Sequence, residues 1–197
     1  MIVSQPTIPK RSIENFVPKG TPITGEQLYL LGSLGRTELV NGELVELMPT
    51  GHPHGYLESI ITTLIMIFVR QNKIGRVLNG EAGVYTHRNP DTVRGVDVAY
   101  ISNERFAQVQ SNSYLDVAPE LIVEILSPSD TWSELQIKLA EYFAIDVKLI
   151  WVVDPALKQI HVFKALDQMQ LFTPEDELTG GDVLPGFSTP VSAIFEE

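Results

Sequence analysis

Two short, nearly continuous apolar runs, at residues 121–126 and 149–153, most restrict what this chain can fold into. A run of that length without polar alternation reads as a strand buried on both faces, which needs helices on both sides of a sheet. Between the runs, Thr131-Trp132-Ser133-Glu134 is a capping box. It predicts a helix whose apolar stripe is Leu135, Leu139, Tyr142 and Phe143. Upstream, Leu57, Ile60, Ile61, Leu64, Ile65 and Phe68 recur at helical spacing and predict a helix over 54–71. Strands are expected at 76–78, 83–86, 96–101 and 160–163, with a turn at Asn89-Pro90-Asp91. Thr24 caps a short helix over 24–32, and Asn41-Gly42 turns a hairpin over 38–47. Helix, strands, helix, strand is an α/β order with a mixed sheet. One domain over 24–197 is expected. An extended arm over 1–23 (Pro6, Pro9, Pro18) precedes it, and an acidic C-terminal flap closes it.

Composition narrows the function classes. At 44% hydrophobic and 20% charged residues, wholesale disorder is excluded. The chain has no cysteine, which excludes disulfides, thiolate zinc sites and cysteine nucleophiles together. The longest apolar stretch, 60–69, is about half of the roughly 20 residues that a bilayer requires. The first residues lack the pattern of a secretory signal, so a soluble, cytoplasmic protein without membrane contact is expected. A net charge of −11 argues against a general nucleic-acid coat. Yet Arg70, Lys73, Arg76, Arg88, Arg94 and Arg105 fall in one stretch that holds fewer acids, so a modest basic face fits there. No Walker loop, GxSxG elbow, HExxH or dinucleotide fingerprint occurs.

Two carboxylates interrupt strands that otherwise read as core: Asp97 within 96–101 and Glu124 within 121–126. A lone buried carboxylate costs several kcal/mol, or takes up a proton, unless a cation balances it. A lysine, an arginine or a hard metal ion with oxygen ligands would serve. Lys138 lies roughly 60° from Leu135 on the helical wheel, at the border of the apolar stripe, and from there reaches inward towards Glu124. It can offset charge near a phosphate and orient water, or form a plain ion pair. His54, at the start of the first long helix, can line the same cleft, accept a proton or contact a phosphate; as a loop or cap residue it would do neither. Of the hairpin acids Glu38, Glu43 and Glu46 nothing local chooses between them, and Glu43 stands as the candidate. Glu58 reads as a solvated edge residue and Glu81 as a loop carboxylate.

The series Arg36-Thr37-Glu38-Leu39-Val40-Asn41-Gly42-Glu43, His54, Arg94-Gly95-Val96-Asp97-Val98-Ala99 and Val123-Glu124-Ile125-Leu126 is followed by Lys138, Tyr142, Trp151-Val152-Val153-Asp154-Pro155 and Leu184-Pro185-Gly186-Phe187. It resembles the Uma-two family of restriction-endonuclease-like proteins within the PD-(D/E)xK nuclease superfamily. The resemblance implies a restriction-endonuclease-like mixed β-sheet flanked by helices. It also implies that Asp97 and Glu124 hold Mg²⁺ or Mn²⁺. Val96 stands where the motif has proline. Leu126 stands where it has lysine, whose part the resemblance assigns to Lys138 on the following helix.

The leading expectation is a Mg²⁺-dependent endonuclease that cuts DNA phosphodiesters, with Asp97, Glu124 and Lys138 at its centre and His54 and Glu43 beside them. Two others stand against it: an inactive nuclease-fold binding or assembly module, which the acidity of the chain favours, and a hydrolase of smaller phosphate esters. A homodimer is expected from the apolar excess of Met66, Ile67 and Val69 on the first long helix.

Overall fold

A computed structural model describes residues 21–32 and 35–196; the expected arm lies, up to residue 20, outside the described residues. Helix α1 spans Gly25–Leu31 and is capped by Thr24, whose side chain accepts from the Gln27 N–H while Gln27 bonds back. Strands β1 (Thr37–Val40) and β2 (Glu43–Glu46) form the expected hairpin. Asn41 and Gly42 both have positive φ, as a tight turn between right-twisted strands requires. Helix α2 runs over His52–Asn72.

The two strands expected at 76–78 and 83–86 are one strand, β3 (Gly75–His87), paired along β4 (Thr92–Ser102). The register slips between Asn79 and Ala82, where Gly80 and Glu81 both turn to positive φ. This is a bulge: the Asn-Gly pair that reads as a break in the sequence is absorbed without ending the strand. A one-turn helix, α3 (Asn103–Phe106), follows. Strand β5 (Leu121–Ile125), helix α4 (Trp132–Ala144) and strand β6 (Leu149–Asp154) come next, and α4 opens with the expected capping box at Thr131 and Glu134. Strands β7 (Gln159–Ala165) and β8 (Gln168–Phe172) complete the sheet.

The eight strands are ordered β2-β1-β4-β5-β6-β7-β8, with β3 on β4. Among the strands of the described residues only β5 and β6 pair in parallel, besides an isolated Val84–Leu115 bridge, and α4 supplies the crossover that a parallel pair of strands needs. Side chains alternate along β5: Leu121, Val123 and Ile125 enter the core beneath α2, while Ile122 packs towards α4 with Leu135, Leu139 and Tyr142. Both apolar runs are thus covered on both faces. Leu139 is fully buried at the centre of the α4 layer. Leu139→Ala should cost about 3 kcal/mol, the transfer and cavity cost of a buried leucine. Urea unfolding followed by circular dichroism reads it, and a loss below ~1 kcal/mol would mean that α4 does not clamp the sheet.

The C-terminal segment is more than an acidic flap. Strands β9 (Glu177–Gly180) and β10 (Leu184–Pro190) form a small sheet, followed by α5 (Val191–Phe195). Leu178, Leu184, Phe187, Val191 and Ile194 are buried in the α2 core, while Glu175, Asp176, Glu177 and Asp182 face outward. Leu184, Phe187, Val191 and Ile194 fall at helical spacing, yet Leu184 and Phe187 lie on β10 and only Val191 and Ile194 on α5, so their common burial is a tertiary fact. They also cover α2, Phe187 meeting Phe68 edge to face at 5.5 Å. Of the three residues behind the expected homodimer, Val69 is buried and Met66 packs on the core; Ile67 stays exposed. No helix of the described residues is long and apolar enough to cross a membrane.

Candidate active site

The site forms where the sheet forks. One edge of β4 is taken along its length by β3. The other edge is shared: β1 pairs at its start, Leu39 opposite Val93, and β5 near its end, from Val98 opposite Val123 to Tyr100 opposite Leu121. Between these contacts, at 94–97, that edge has no strand beside it, and buried backbone groups without a ladder partner must be met some other way. Carboxylates meet them. Asp97 Oδ2 accepts the Ile125 N–H at 2.7 Å, and Glu38 Oε1 accepts the Gly95 N–H at 3.3 Å. The β4–β5 pairing stops at Val98 opposite Val123; one step further in the same register sets Asp97 opposite Glu124.

Four of the expected residues come together at this fork. Asp97, 3% exposed, lies 3.3 Å from His54 Nε2 at the start of α2. Burial works against its charge, but the His54 contact and the Ile125 N–H outweigh it and hold the Asp97 carboxyl below its ordinary value. Burial likewise disfavours a charged His54, and the carboxylate beside it more than compensates, so its pKa is raised. Glu124 points towards α4: the Tyr142 hydroxyl donates to its Oε1 at 2.6 Å, and Lys138 Nζ lies 3.4 Å from its Oε2. Burial pushes Glu124 up from 4.5 to about 7; Lys138 opposes that shift, and the negative charge of Asp97 adds to it. The charge of Lys138 persists despite burial because Glu124 and Glu38 surround it, which raises its pKa.

Glu43 is not part of the cluster. It stands exposed on β2, and the hairpin glutamate that turns inward is Glu38, 4% exposed. The physical reason is position: β1 lies between β2 and β4 and is buried on both faces at Glu38 and Leu39, whereas β2 is the outer strand. Glu38 Oε2 accepts from Arg94 Nη1 at 2.8 Å, and its Oε1 lies 3.1 Å from Lys138 Nζ. Arg94 in turn forks onto Glu141 with two bonds of 2.7 Å, and the Thr86 hydroxyl donates to the same carboxylate at 3.1 Å.

Two acids that sequence reasoning set aside also reach the site. The β3 bulge aims Glu81 at Arg36, which also approaches Asp97 Oδ1 at 3.9 Å. Burial and the nearby Asp97 push Glu81 up from 4.5 to about 7, against the pull of Arg36. Gly95 makes room for it, because a Cβ there would lie 2.7 Å from Glu81 Oε2. Glu58, one turn beyond His54, accepts the Gly80 N–H at 2.7 Å. Ligand atoms of His54, Glu58 and Asp97 all lie within 4.8 Å of one another, a spacing that can hold a metal ion. The signal for Glu81 was present in the sequence, since Asn-Gly inside a strand pattern marks a bulge and bulges re-aim side chains.

The donor set fits a divalent cation. Asp97 and Glu58 offer hard oxygen ligands of the kind Mg²⁺ and Mn²⁺ take, and His54 adds an imidazole compatible with Mn²⁺ within the same 4.8 Å group. A buried carboxyl pushed up to about 7 by burial and by a like charge is a group that a cation would relieve.

A solved structure described as the "Crystal structure of a putative nuclease belonging to DUF820 from Anabaena variabilis ATCC 29413" is similar to this chain, with a TM-score of 0.72 at 19% sequence identity. The match covers 88% of this chain and 98% of that one. At that identity the likeness is one of fold, and the fold expected from the sequence, a restriction-endonuclease-like mixed sheet flanked by helices, is the one found. No curated protein matches the chain. The model of the Uma2 (Uma-two) family, described as "Putative restriction endonuclease", matches residues 25–192, which include both strand carboxylates, Lys138 and the fork between β1 and β5; the chain belongs to that family.

Proposed function

We propose that the protein is a divalent-metal-dependent endonuclease that hydrolyses DNA phosphodiester bonds in the cytoplasm. The observation that carries this reading is the fork, where Asp97 and Glu124 each stand one residue beyond the last β4–β5 pair, Val98 opposite Val123, while α4 delivers Lys138 to 3.4 Å from the Glu124 carboxylate. Asp97 and Glu124 would hold Mg²⁺ or Mn²⁺, and such an ion supplies a Lewis acid that activates water and polarises a phosphoryl oxygen. Lys138 offers three N–H donors and a fixed positive charge: two acids hold its ammonium, and its remaining capacity orients a water and offsets charge on the phosphate. Tyr142 fixes the Glu124 carboxylate by donating to Oε1, and Oε2, which Lys138 approaches at 3.4 Å, is the oxygen that would meet the ion. His54, buried against Asp97, holds that carboxylate in place and carries a proton that can pass to a leaving oxygen.

A second reading has an observation of its own. Arg36, Arg94 and Lys138 already stand among the acids of the fork, so the cluster can be charge-balanced without an ion and the module inert. Supercoiled plasmid and short duplexes incubated with Mg²⁺ or Mn²⁺ separate the readings. Cleavage that EDTA stops, and that Lys138→Met lowers at least about a hundredfold, is expected of the nuclease. A chain that binds no Mn²⁺ by calorimetry and cuts nothing is the inert module. Hydrolysis of a small phosphodiester such as bis(p-nitrophenyl) phosphate, with no polymer cut, would instead assign a smaller substrate.

A further inference from the structure

We propose that Glu38 is a positioning residue that holds the Lys138 ammonium off Glu124 and so keeps the Glu124 carboxylate open to a cation. The inference rests on the nuclease reading above for its consequence in metal binding, though the contact it describes stands by itself. Lys138 Nζ lies nearer to Glu38 Oε1, at 3.1 Å, than to Glu124 Oε2, at 3.4 Å. A charge-assisted bond between an ammonium and a carboxylate ordinarily closes to about 2.8 Å, so the contact to Glu124 is slack and the lysine is shared.

Glu38 can divide the lysine because its own carboxylate is held by other partners. Its Oε2 is bonded to Arg94 at 2.8 Å, its Oε1 takes the Gly95 N–H at 3.3 Å, and its side chain is 3% exposed. Arg94 is locked in turn by its two bonds to Glu141. The chain of contacts Thr86–Glu141–Arg94–Glu38–Lys138 runs from β3 and α4 through β4 to β1 and ends on the lysine. Without the Glu38 charge, Glu124 is the remaining carboxylate within 4 Å of that ammonium among the described residues. A half-buried ammonium then has one counter-charge left, and it should close onto it, because a partly desolvated charge without a partner is costly. Closed onto Glu124, it would occupy the oxygen that an ion needs.

The test is Glu38→Gln, which keeps shape and accepts one hydrogen bond. A crystal structure of the metal-free variant should show Lys138 Nζ drawn from 3.4 Å to ordinary ion-pair distance on Glu124. A lysine left where it was overturns the proposal, whatever the metal does. In calorimetry with Mn²⁺ alone, the variant should bind at least about tenfold more weakly than wild type. The loss should vanish when Lys138→Met is added, because the cycle isolates coupling through the lysine. If the same loss persists in the Lys138→Met background, Glu38 acts on the ion through space and the positioning role is wrong. A wild type that binds no Mn²⁺ would defeat the nuclease reading, and the crystallographic arm would still decide where Glu38 holds the lysine. Equal melting temperatures for wild type and variant at pH 7.5 would show that any change in binding is not a folding defect.

Discussion

Asp97→Asn should abolish divalent-dependent cleavage, with a loss of at least about a thousandfold, and should remove Mn²⁺ binding measured by calorimetry. Asparagine keeps the side-chain shape, and its amide oxygen can still accept the Ile125 N–H that Asp97 takes at 2.7 Å, so the end of the β4–β5 ladder should survive. What is lost is the charge that His54 faces at 3.3 Å and that an ion would share with Glu124. His54 should then titrate lower, because burial, the influence that opposes its charge, would no longer be outweighed by Asp97. An imidazole titration followed by NMR in the metal-free protein reads that fall. Cleavage within tenfold of wild type would sink the assignment of Asp97 to the reaction.

Glu124→Gln separates the metal site from a structural ion pair through its effect on stability. The Glu124 carboxyl titrates at about 7 in the folded protein against an ordinary 4.5. Its folded-state pKa is raised, so the folded protein holds the proton more tightly than the unfolded chain. The associated stability is present in full below about pH 4.5 and is lost as pH rises through 7. The loss is on the order of 3 kcal/mol, at ~1.4 kcal/mol per pKa unit. Glutamine is neutral throughout and still accepts from Tyr142, and Lys138 keeps Glu38 as a partner. The metal-free variant should therefore match wild type near pH 5 and melt several degrees higher near pH 8. Glu81, also raised to about 7, adds a similar slope to both proteins and cancels in the difference. Mn²⁺ should raise the melting temperature of wild type, more at pH 8 than at pH 5 because ion and proton compete for the ligand, and leave the variant unchanged. A variant less stable than wild type at pH 8, beside a wild type indifferent to Mn²⁺, would mark Glu124 and Lys138 as a structural pair, whose breaking costs about 3 kcal/mol when buried.

Glu38 and Glu43 show where legibility ended. Both lie on the same hairpin, five residues apart, and neither has local features that distinguish it. Which one enters the site depends on β1 lying between β2 and β4, a neighbour relation that no short-range pattern encodes. Glu81 differs: its Asn-Gly neighbourhood marks a backbone irregularity, which reads as a strand break although the register slip keeps the strand intact. The C-terminal core residues were hidden for another reason. Leu178, Leu184, Phe187, Val191 and Ile194 gain their meaning from α2, more than a hundred residues away in the chain.

What the sequence determined by itself is everything that depends on neighbours within a few residues. The α2 stripe, the capping boxes at Thr24 and Thr131, the Asn41-Gly42 turn and the doubly buried runs of β5 and β6 are set by backbone geometry and local burial. Asp97 and Glu124 stood out for the same reason: a charge within an apolar strand is visible one residue at a time. The tertiary structure alone decided that β1 and β5 share one edge of β4 and leave a gap between them. Backbone groups at that gap need partners, and once buried they draw in Glu38, Asp97 and the cations that balance them. The site is a consequence of unfinished strand pairing, and unfinished pairing exists only after distant segments have met.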